Sequence, residues 1–556
     1  MINTEWFKDA IIYQIYPRSF KDSNGDGMGD IQGIISKLDY LKDLGINCVW
    51  LSPVYKSPMD DNGYDISDYK AIHEEFGTME DFKMMLDEMH KRGIRLIMDL
   101  VANHTSDEHP WFIESRKSKD NPYRDYYIWR KKPNNWTGFF GEKAWEYDET
   151  TGEYYLHLFG KKQPDVNWEN PKVREAYKDI IKFWLDMGVD GFRCDVINLI
   201  SKDQRYKNGR NPLILVGKKY YINGPRLHEF LHEVNVDVLS HYDCMTVGET
   251  VFSTLDDMKL LTGKERNELS MVFNFDHTSV DNFLGVKWLM RKFSLPRFKK
   301  IIDKYQYGLA DVGWNSLFYE NHDQRRSVGR FNTCDNEYRV ESAKLLATTM
   351  YFLKGTPFIY QGQEIGMTNY EVDSIHDFID IESINVINTM KKLHLPKSYI
   401  DKSIRNGSRD NSRVVMHWDD SEFAGFSTVK PWIGPNKNKN IINVKAAEQD
   451  ENSILNFYKK LIQVYKSEPL VKDGAYFDLR PRHKKIFAYE RRKDGELLLI
   501  ISNFSKDVIE HNIMDEYLDY EYVELLNNYE ESGAYILQPY QSIVLKLKRR
   551  QFDYKV

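Results

Sequence analysis

Three acidic residues each stand at the end of a short apolar run in the 556-residue sequence. They are Asp195, Glu249 and Asp323. A single aspartate at the end of a strand is most often a helix cap or a turn residue. Three such carboxylates together point to cleavage of a glycosidic bond, in which one attacks or stabilises the anomeric carbon and another protonates the departing oxygen. Two of them about 5 to 5.5 Å apart would retain the anomeric configuration through a covalent intermediate.

Basic and imidazole side chains accompany these carboxylates. Arg193 precedes Asp195 by two residues, and His104 and His322 follow other predicted strands. Carboxylates and histidines also bind metal ions, so metal-assisted hydrolysis is the alternative chemistry. Neither histidine belongs to a His-x-His or His-x-x-x-His pair. This spacing favours glycosidic cleavage.

Alternating strands and helices are predicted to position these residues. Amphipathic helices that end at Gly45, Gly93 and Gly188 each precede a short apolar strand. Eight strands joined by helical crossovers pair in parallel. They fit a closed (β/α)8 TIM barrel, an α/β fold in which the strand ends converge on one mouth. The predicted strands are Ile11–Ile15, Cys48–Leu51, Arg95–Val101, Val189–Val196, Met245–Gly248, Met271–Phe275, Ser316–Tyr319 and Thr356–Tyr360.

Two stretches depart from this alternation. Residues 105–170 are polar and aromatic and too long for an ordinary loop, which predicts an inserted subdomain B after strand 3. After residue 480 short alternating strands predict a C-terminal antiparallel β-sandwich domain over 481–556. The barrel then takes residues 1–104 and 171–480. The predicted C-terminal strands are Lys485–Arg491, Glu496–Ser502, Glu521–Leu526 and Ser542–Leu547.

The composition excludes several classes of protein. The 77 Lys and Arg residues against 84 Asp and Glu give a net charge of −7, without the basic face of a nucleic-acid binder. Hydrophobic residues make up 41%, which suits a large core and argues against disorder. The four cysteines form no Cys-x-x-Cys pair, and neither a secretory signal nor an uninterrupted apolar run of about 18 residues is found. We therefore expect a cytoplasmic monomer that binds neither nucleic acid nor membrane.

Four short stretches resemble the motifs of the alpha-amylase family of glycoside hydrolases (family 13), in the same order. They are Asp99-Leu-Val-Ala-Asn-His104, Gly191-Phe-Arg-Cys-Asp195, Val247-Gly-Glu249 and Asn321-His-Asp323. The similarity continues through Gln163-Pro-Asp-Val-Asn-Trp168 and Ser408-Arg-Asp-Asn-Ser-Arg413 and covers nearly the whole chain. Within the family the chain is most similar to the oligo-1,6-glucosidase and alpha-glucosidase subgroup. This implies an exo-acting cytoplasmic enzyme for small oligosaccharides or disaccharides, without an organic cofactor.

The resemblance also implies a role for each carboxylate. Asp195 matches the nucleophile, which Arg193 would keep ionised from the same face of the strand. Glu249 matches the general acid/base, a role that requires its carboxyl group to hold a proton in the closed site. Asp323 matches the third carboxylate, which binds the hydroxyl groups of the distorted sugar. His104 and His322 match residues that hydrogen-bond the sugar at the cleavage subsite.

A closed pocket for one terminal glucose follows from the same resemblance. Asp61 and Tyr64 match the pair that binds and stacks on the non-reducing glucose, and Arg413 matches the ion partner of that aspartate. Phe159 and Gln163, from the insertion, are predicted to wall the same pocket. A pocket closed at this end would make the enzyme exo-acting.

A separate loop has oxygen ligands at alternate positions with glycines between them, as a calcium loop requires. The family carries a structural Ca²⁺ here, with Mg²⁺ as the alternative ion. A turn of this composition without an ion is the other interpretation, and Gly33 replaces the bidentate Glu of a full EF-hand at position twelve. The predicted ligands are Asp22, Asn24, Asp26, Met28 and Asp30.

The choice of linkage depends on residues next to the carboxylates. Val196, directly after Asp195, resembles members that are selective for α-1,6 bonds. Thr250 and Arg325 depart from the pattern of close relatives, and Arg325 with Arg326 would also suit sucrose or trehalose 6-phosphate. Hydrolysis of α-1,4 bonds, sucrose hydrolysis or isomerisation and trehalose-6-phosphate hydrolysis are therefore alternatives on the same site. A non-catalytic barrel that acts as a binding module is the alternative of another class.

Overall fold

The computed structural model describes residues 5–210, 215–283, 285–530 and 533–550. Eight parallel strands form its central sheet, and all eight predicted strands are confirmed with small differences at their ends. The strands are β1 (Ile12–Ile15), β2 (Cys48–Leu51), β3 (Arg95–Val101), β4 (Gly191–Asp195), β5 (Met245–Glu249), β6 (Met271–Phe273), β7 (Ser316–Leu317) and β8 (Thr356–Tyr360).

The sheet closes into a barrel. Its strand order is β6-β5-β4-β3-β2-β1-β8-β7, and a parallel bridge between Val272 and Asn315 joins the two ends of this order. The Ser316 hydroxyl donates to the Val272 carbonyl oxygen at 2.9 Å across the same seam. Because Asp99 on β3 is paired in register with Arg193 on β4, their side chains share one face of the sheet.

Helices surround the barrel and follow the predicted alternation. Gly45, Gly93 and Gly188 all adopt the left-handed conformation after their helices, as helix ends favour. The helices before β8 are Ile31–Ile35, Leu38–Leu44, Met79–Lys91, Pro110–Ser115, Pro171–Met187, Leu227–Asp237, Leu255–Thr262, Leu295–Gly308 and Arg339–Tyr351. Those after β8 are Ile381–Lys392, Lys397–Gly407, Asp410–Arg413, Val444–Gln449, Ile454–Ser467 and Leu470–Asp473. None of the helices in the described ranges combines the length and apolarity needed to cross a bilayer.

The interior of the barrel is filled with side chains. Aromatic and aliphatic residues from nearly all the strands meet there, so the fold leaves room for a site only at the mouth. The buried interior residues include Ile12, Trp50, Ile97, Met245, Val247, Phe273, Phe318 and Phe358.

The insertion between β3 and β4 forms a small subdomain. Its three strands, Trp129–Arg130, Trp145–Asp148 and Glu153–Leu156, make an antiparallel sheet. It returns to the mouth through a bridge between His104 and Asp165. This return places the segment between Leu156 and Asp165 over the end of β3.

A second unit, which the sequence did not predict, lies beside the mouth. We call it the hairpin–helix unit. It comprises the hairpin Asn282–Phe283 with Val286–Met290 and the helices Ile381–Lys392 and Lys397–Gly407. Its own small core includes Trp288, Phe378, Ile387 and Ile404.

The C-terminal part is an antiparallel sheet that packs on the barrel. Its strands are β9 (Ala475–Asp478), β10 (Ile486–Lys493), β11 (Glu496–Asn503), β12 (Tyr520–Asn527) and β13 (Ser542–Arg549), in the order β9-β10-β11-β13-β12. The sheet therefore begins before the predicted boundary at 481, because β9 pairs with β10 across a turn. Tyr489 donates through its hydroxyl to the Thr349 carbonyl at 3.0 Å, and a two-stranded sheet, Ile509–Glu510 with Ile536–Leu537, accompanies the opposite face.

Candidate active site

A single guanidinium group connects the carboxylates at the mouth. Arg193 on β4 donates through Nη1 to Asp195 Oδ1 at 2.7 Å and through Nη2 to Glu249 Oε2 at 2.5 Å. Nη1 also contacts Asp99 Oδ1 on β3. Arg193 is buried, whereas Glu249, at the end of β5, is partly exposed. The structure thus brings the predicted nucleophile and the predicted acid/base to the same guanidinium.

Burial and charge act in opposite directions on the inner carboxylates. Burial raises the pKa of Asp99 to about 6, against the attraction of Arg193 and a hydrogen bond from Trp50 Nε1 at 2.8 Å. Burial raises the pKa of Asp195 as well, and the nearby carboxylates of Glu249 and Asp99 add to this rise, whereas Arg193 opposes it. The contacts from Arg193 stabilise the ionised form that a nucleophile needs.

Asp323 is the most open of the three predicted catalytic carboxylates, with 32% of its side chain exposed. Arg413 Nη2 donates to its Oδ1 at 3.0 Å, and Arg409 Nη1 lies 3.5 Å from the same atom. Burial alone would raise the pKa of Asp323, but His322 and these two guanidinium groups lower it well below its usual range. Asp323 is therefore an ionised acceptor for donors from a ligand.

His322 is held as a neutral ring. Burial lowers its pKa to about 3. Gln14 Nε2 lies 2.8 Å from its Nδ1, and because an amide nitrogen can only donate, Nδ1 is the acceptor and Nε2 carries the proton. Tyr64 stacks on this ring at 5.3 Å between centroids with an interplanar angle of 5°. The structure thus places Tyr64 and His322 side by side, next to Asp323.

Asp61 is buried next to the same arginine residues. Gln163 Nε2 donates to its Oδ2 at 3.1 Å, and Arg409 Nη2 lies 3.5 Å from its Oδ1. Burial raises the pKa of Asp61 to about 6, although Arg409 and Arg413 oppose the shift. The predicted pairing of Asp61 with Arg413 is corrected here, since the guanidinium nearest to Asp61 is that of Arg409. Arg413 Nε donates to the His322 carbonyl at 3.3 Å, which orients its fork toward Asp323 instead.

The insertion supplies the remaining wall. Phe159 lies 5.0 Å from the ring of His104, and Gln163 Nε2 is 3.3 Å from His104 Nε2. Phe139 stacks on Phe159 at 5.0 Å. Burial lowers the pKa of His104 to about 4, so this imidazole is also neutral near pH 7. Both predicted insertion residues are therefore next to the carboxylate site.

Two members of this network were not predicted from the sequence. Arg409 contacts Asp380 Oδ1 at 2.7 Å, and Arg413 Nη1 lies 3.6 Å from the same oxygen. The Asp380 side chain is fully buried, directly before the helix Ile381–Lys392. The motif that predicted Arg413 also contains Arg409, four residues earlier. In a helix this spacing places both side chains on one face, so the sequence held a signal that Arg409 joins the same network. Nothing local marks Asp380.

The arginines after Asp323 are engaged within the protein. Arg326 is fully buried, 3.0 Å from Glu320, and donates to the Gln361 carbonyl at 2.8 Å. Arg325 is paired with Asp281 and donates to Asn406 Oδ1 at 3.2 Å. Both side chains hold the structure around β7 together.

The predicted metal loop forms a series of side-chain turns. Asp22 Oδ1 accepts from Gly25 N at 2.7 Å, Asn24 Oδ1 from Asp26 N at 2.9 Å, and Asp26 Oδ1 from Met28 N at 2.8 Å. Asp30 instead caps the next helix by accepting from Gly33 N at 2.6 Å. Asp22 and Asp30 are buried, whereas Asn24 and Asp26 are exposed, and their oxygen atoms are the type of ligand that a hard cation prefers. The loop therefore contains oxygen ligands of the type that a calcium ion prefers, but the carboxylates of this fully described loop do not form a set of three within 4.8 Å of one another.

A different acidic group gathers more closely. Among the described residues, Glu175, Glu233 and Asp237 form the one set of three carboxylate, imidazole or thiol ligands within 4.8 Å of one another. Lys178 Nζ lies between 2.6 and 2.8 Å from an oxygen of each. An ammonium group therefore already neutralises this set.

The assembled site can perform acid/base and nucleophilic chemistry on a sugar. It combines a carboxylate at the end of β4, a second at the end of β5, an ionised acceptor after β7 and two neutral imidazoles. Asp61 and Tyr64 lie beside these groups. A hexose ring bound there would place its hydroxyl groups among acceptors and its anomeric carbon near Asp195.

Comparison with known proteins agrees with this geometry. The family model described as "Alpha amylase, catalytic domain" matches residues 14–474. An oligo-1,6-glucosidase from Parageobacillus thermoglucosidasius is 55% identical, covering 98% of this chain and 99% of the relative. The crystal structure of Bacillus licheniformis trehalose-6-phosphate hydrolase matches with a TM-score of 0.93 at 45% identity, over 98% of this chain and 100% of that one. Isomaltulose synthase from Klebsiella sp. LX3 matches with a TM-score of 0.94 at 42% identity, over 98% and 99%.

Proposed function

Since the chain belongs to the alpha-amylase family of glycoside hydrolases, we propose that it is a retaining, exo-acting α-glucosidase that removes terminal α-1,6-linked glucose from isomalto-oligosaccharides. The observation that carries the proposal is the shared hydrogen bonding of Asp195 and Glu249 to Arg193. One guanidinium thus holds both carboxylates at the same place in the mouth, and the proposed retention requires their carboxyl groups to lie about 5 to 5.5 Å apart.

The reaction has two steps at these carboxylates. Asp195 attacks the anomeric carbon while Glu249 protonates the glycosidic oxygen, and the leaving sugar departs. Glu249, now ionised, then takes a proton from water, whose oxygen attacks the anomeric carbon and releases Asp195. Arg193 contacts both groups, so its positive charge stabilises the carboxylate form of whichever residue is ionised at each step.

The other side chains bind the glucose. Asp323, kept ionised by Arg413 and Arg409, would accept hydrogen bonds from hydroxyl groups of the sugar. His322 donates from Nε2, and Tyr64 presents its ring to the apolar face of the sugar. Because these contacts strengthen as the ring flattens, they favour the transition state over the bound substrate.

The proposed exo action requires a pocket that is closed at one end, and the contacts around Asp61 support such an end. Arg409 lies 3.5 Å from Asp61 and 5.5 Å from the centroid of the Phe140 ring. Gln163 reaches Asp61 from the other side at 3.1 Å. A chain extended beyond one glucose at this end would meet these side chains, so the substrate is cut one glucose at a time.

The α-1,6 preference is supported by the relatives and by Val196. This residue is buried in the cluster that also contains Leu199 and Val251, which places a branched side chain beside the nucleophile. The oligo-1,6-glucosidase from Bacillus cereus is 52% identical over 98% of this chain. The engagement of Arg325 and Arg326 with Asp281 and Glu320 argues against their binding a phosphate.

We also propose a structural divalent cation, calcium or alternatively magnesium, in the loop that contains Asp22, Asn24 and Asp26. Met28 would contribute its carbonyl and Asp30 a carboxylate. Bound there, the ion would stabilise the loop between β1 and the first helix. A cytoplasmic location is supported by the four described cysteines, which are all buried and free of disulfide bonds, as is usual in a reducing compartment.

The proposal is tested with a panel of disaccharides. Purified protein should release glucose from isomaltose with a higher kcat/KM than from maltose, sucrose or trehalose 6-phosphate, and proton NMR should show the α-anomer as the first product. Faster turnover of one of the other three would overturn the linkage. Asp195→Asn should lower kcat by at least about 10⁴-fold with an unchanged circular dichroism spectrum, and near-normal turnover would refute the nucleophile.

A further inference from the structure

A large exposed aromatic side chain follows the predicted acid/base. Phe252 lies three residues after Glu249, and 54% of it is exposed. Exposed aromatic rings are common at surfaces that bind molecules with one apolar and one polar side. A large ring left exposed three residues after the predicted acid/base therefore calls for an explanation.

The backbone at Phe252 adopts an unusual conformation. Its φ is 55°, in the left-handed region that bulky residues rarely occupy. Such conformations persist where the surrounding structure imposes them, and they cluster at active sites and ligand-binding loops. The sequence thus has a large side chain at a position where glycine would adopt the backbone conformation with less strain.

Hydrogen bonds on both sides hold the residues that precede Phe252. Thr250 Oγ1 donates to the Phe273 carbonyl at the end of β6 at 3.0 Å. The buried Asn198 side chain binds Val251 twice, accepting from its N at 3.2 Å and donating to its carbonyl at 2.9 Å. The two residues before the ring are therefore fixed to β6 and to Asn198.

The location fits the leaving-group side of the site. Three residues of chain span at most about 11 Å, so Phe252 is near the carboxyl group that protonates the departing oxygen. Val251 packs in the same cluster as Val196 and Phe159, which places the loop beside the pocket wall. Lys218 Nζ lies 4.8 Å from the centroid of the Phe252 ring.

We propose that Phe252 and Lys218 form a binding platform for the sugar that leaves. The ring of Phe252 stacks on the C–H face of the glucose residue beyond the cleaved bond, and the Lys218 ammonium donates to its hydroxyl groups. The ligand class is the neutral glucose residue of an oligosaccharide. This inference rests on the proposed function, because it concerns the same substrate.

The test compares two substrates that differ only in the leaving group. Isomaltotriose leaves a disaccharide on the platform, whereas α-glucosyl fluoride leaves a fluoride ion that cannot contact it. Phe252→Gly removes the ring and relieves the backbone, and Phe252→Ala removes the ring alone. For both variants we expect kcat/KM on isomaltotriose to fall roughly 5- to 30-fold, mainly through KM. On α-glucosyl fluoride we expect a change within about two-fold.

Matched variants exclude indirect effects. Phe477 is 41% exposed on β9 with Arg492 at 5.1 Å from its ring centroid, so Phe477→Ala removes a similar ring far from the mouth and should change neither substrate. Phe252→Tyr should restore most of the activity on isomaltotriose. An equal fall on both substrates, or no fall on either, overturns the platform.

The substrates also separate this inference from the proposed function. If the wild-type enzyme prefers maltotriose to isomaltotriose, the α-1,6 assignment fails, and the same comparison is made with maltotriose. A ratio of maltotriose to fluoride activity that is unchanged in Phe252→Gly would then overturn the platform as well.

Discussion

The ammonium group of Lys202 lies 2.9 Å from the carboxylate of Asp165, and the two side chains are only 1% and 0% exposed. Lys202 follows β4, whereas Asp165 belongs to the insertion. Lys202 Nζ also donates to Asn103 Oδ1 at 2.7 Å after β3. This buried pair therefore ties the insertion, with Phe159 and Gln163, to the end of the barrel.

Replacing Lys202 should loosen that connection. Lys202→Met leaves the Asp165 carboxylate buried without its counter-ion, which should cost about 3 to 5 kcal/mol of the free energy of unfolding. Urea unfolding measures the loss, and KM for isomaltose should rise because the pocket wall shifts. The double variant Lys202→Met with Asp165→Asn should recover part of the stability. A single variant as stable as wild type would contradict this role.

Removing Asp380 should weaken substrate binding. Its carboxylate contacts both Arg409 and Arg413, so Asp380→Asn should let these side chains move and raise KM about ten-fold, equivalent to about 1.4 kcal/mol. Steady-state kinetics on isomaltose measures the effect. Asp401→Asn is the matched control, because its pair with Arg405 at 2.9 Å is partly exposed and should be worth at most about 1 kcal/mol. Equal effects of the two variants would refute the prediction.

Asp61→Asn should stabilise the protein and inactivate it. The native pKa of Asp61 is raised from 3.8 to about 6, so the native state binds the proton more tightly than the unfolded state. The free energy of unfolding therefore falls as pH rises from about 4 to above 6, by up to about 3 kcal/mol from this residue. The amide introduced by Asp61→Asn does not ionise, so the free energy of unfolding of the variant does not fall in this way.

The free energy of unfolding of Asp61→Asn should accordingly exceed that of the wild type at pH 8, and the difference should vanish near pH 4. Urea unfolding at several pH values measures this difference. At the same time glucose binding should be lost, because the carboxylate is the acceptor for the sugar. A variant less stable than wild type at pH 8 would show that the charge of Asp61 contributes to folding.

Removing the proposed cation should lower thermal stability. At a calcium concentration one hundred times the Kd, the bound ion would add about 2.7 kcal/mol, so a chelator should lower Tm and excess calcium should restore it. Differential scanning calorimetry measures both. Asp22→Ala should abolish the response, whereas Glu233→Gln should keep it, because Lys178 occupies that cluster. A Tm indifferent to the chelator would argue for a turn without an ion.

The barrel and its carboxylates were predictable because their signals are local. Each strand is a short apolar run, and Asp195 and Glu249 are the last residues of β4 and β5. Closure of the barrel brings strand ends together wherever they stand in the sequence, so a correct strand list predicts which carboxylates meet at the mouth.

The pairings of the arginines were not predictable in the same way. Arg409 meets Asp61 across 348 positions of the sequence, and Asp380 joins them from a unit that the strand pattern does not reveal. Which guanidinium reaches which carboxylate depends on how the hairpin–helix unit packs beside the mouth. That packing is a tertiary property, and it explains why Arg413 was assigned to the wrong partner.

The filled interior of the barrel has a consequence for the order of events in the proposed reaction. Because no passage leads through the barrel, a glucose pocket closed at the Asp61 end would open only toward the leaving sugar, which would have to diffuse away before water reaches the glycosyl-enzyme. Glucose departs last and by the same route. Free glucose should therefore compete directly with substrate for the empty enzyme, and a second sugar that arrives before water will be glycosylated instead.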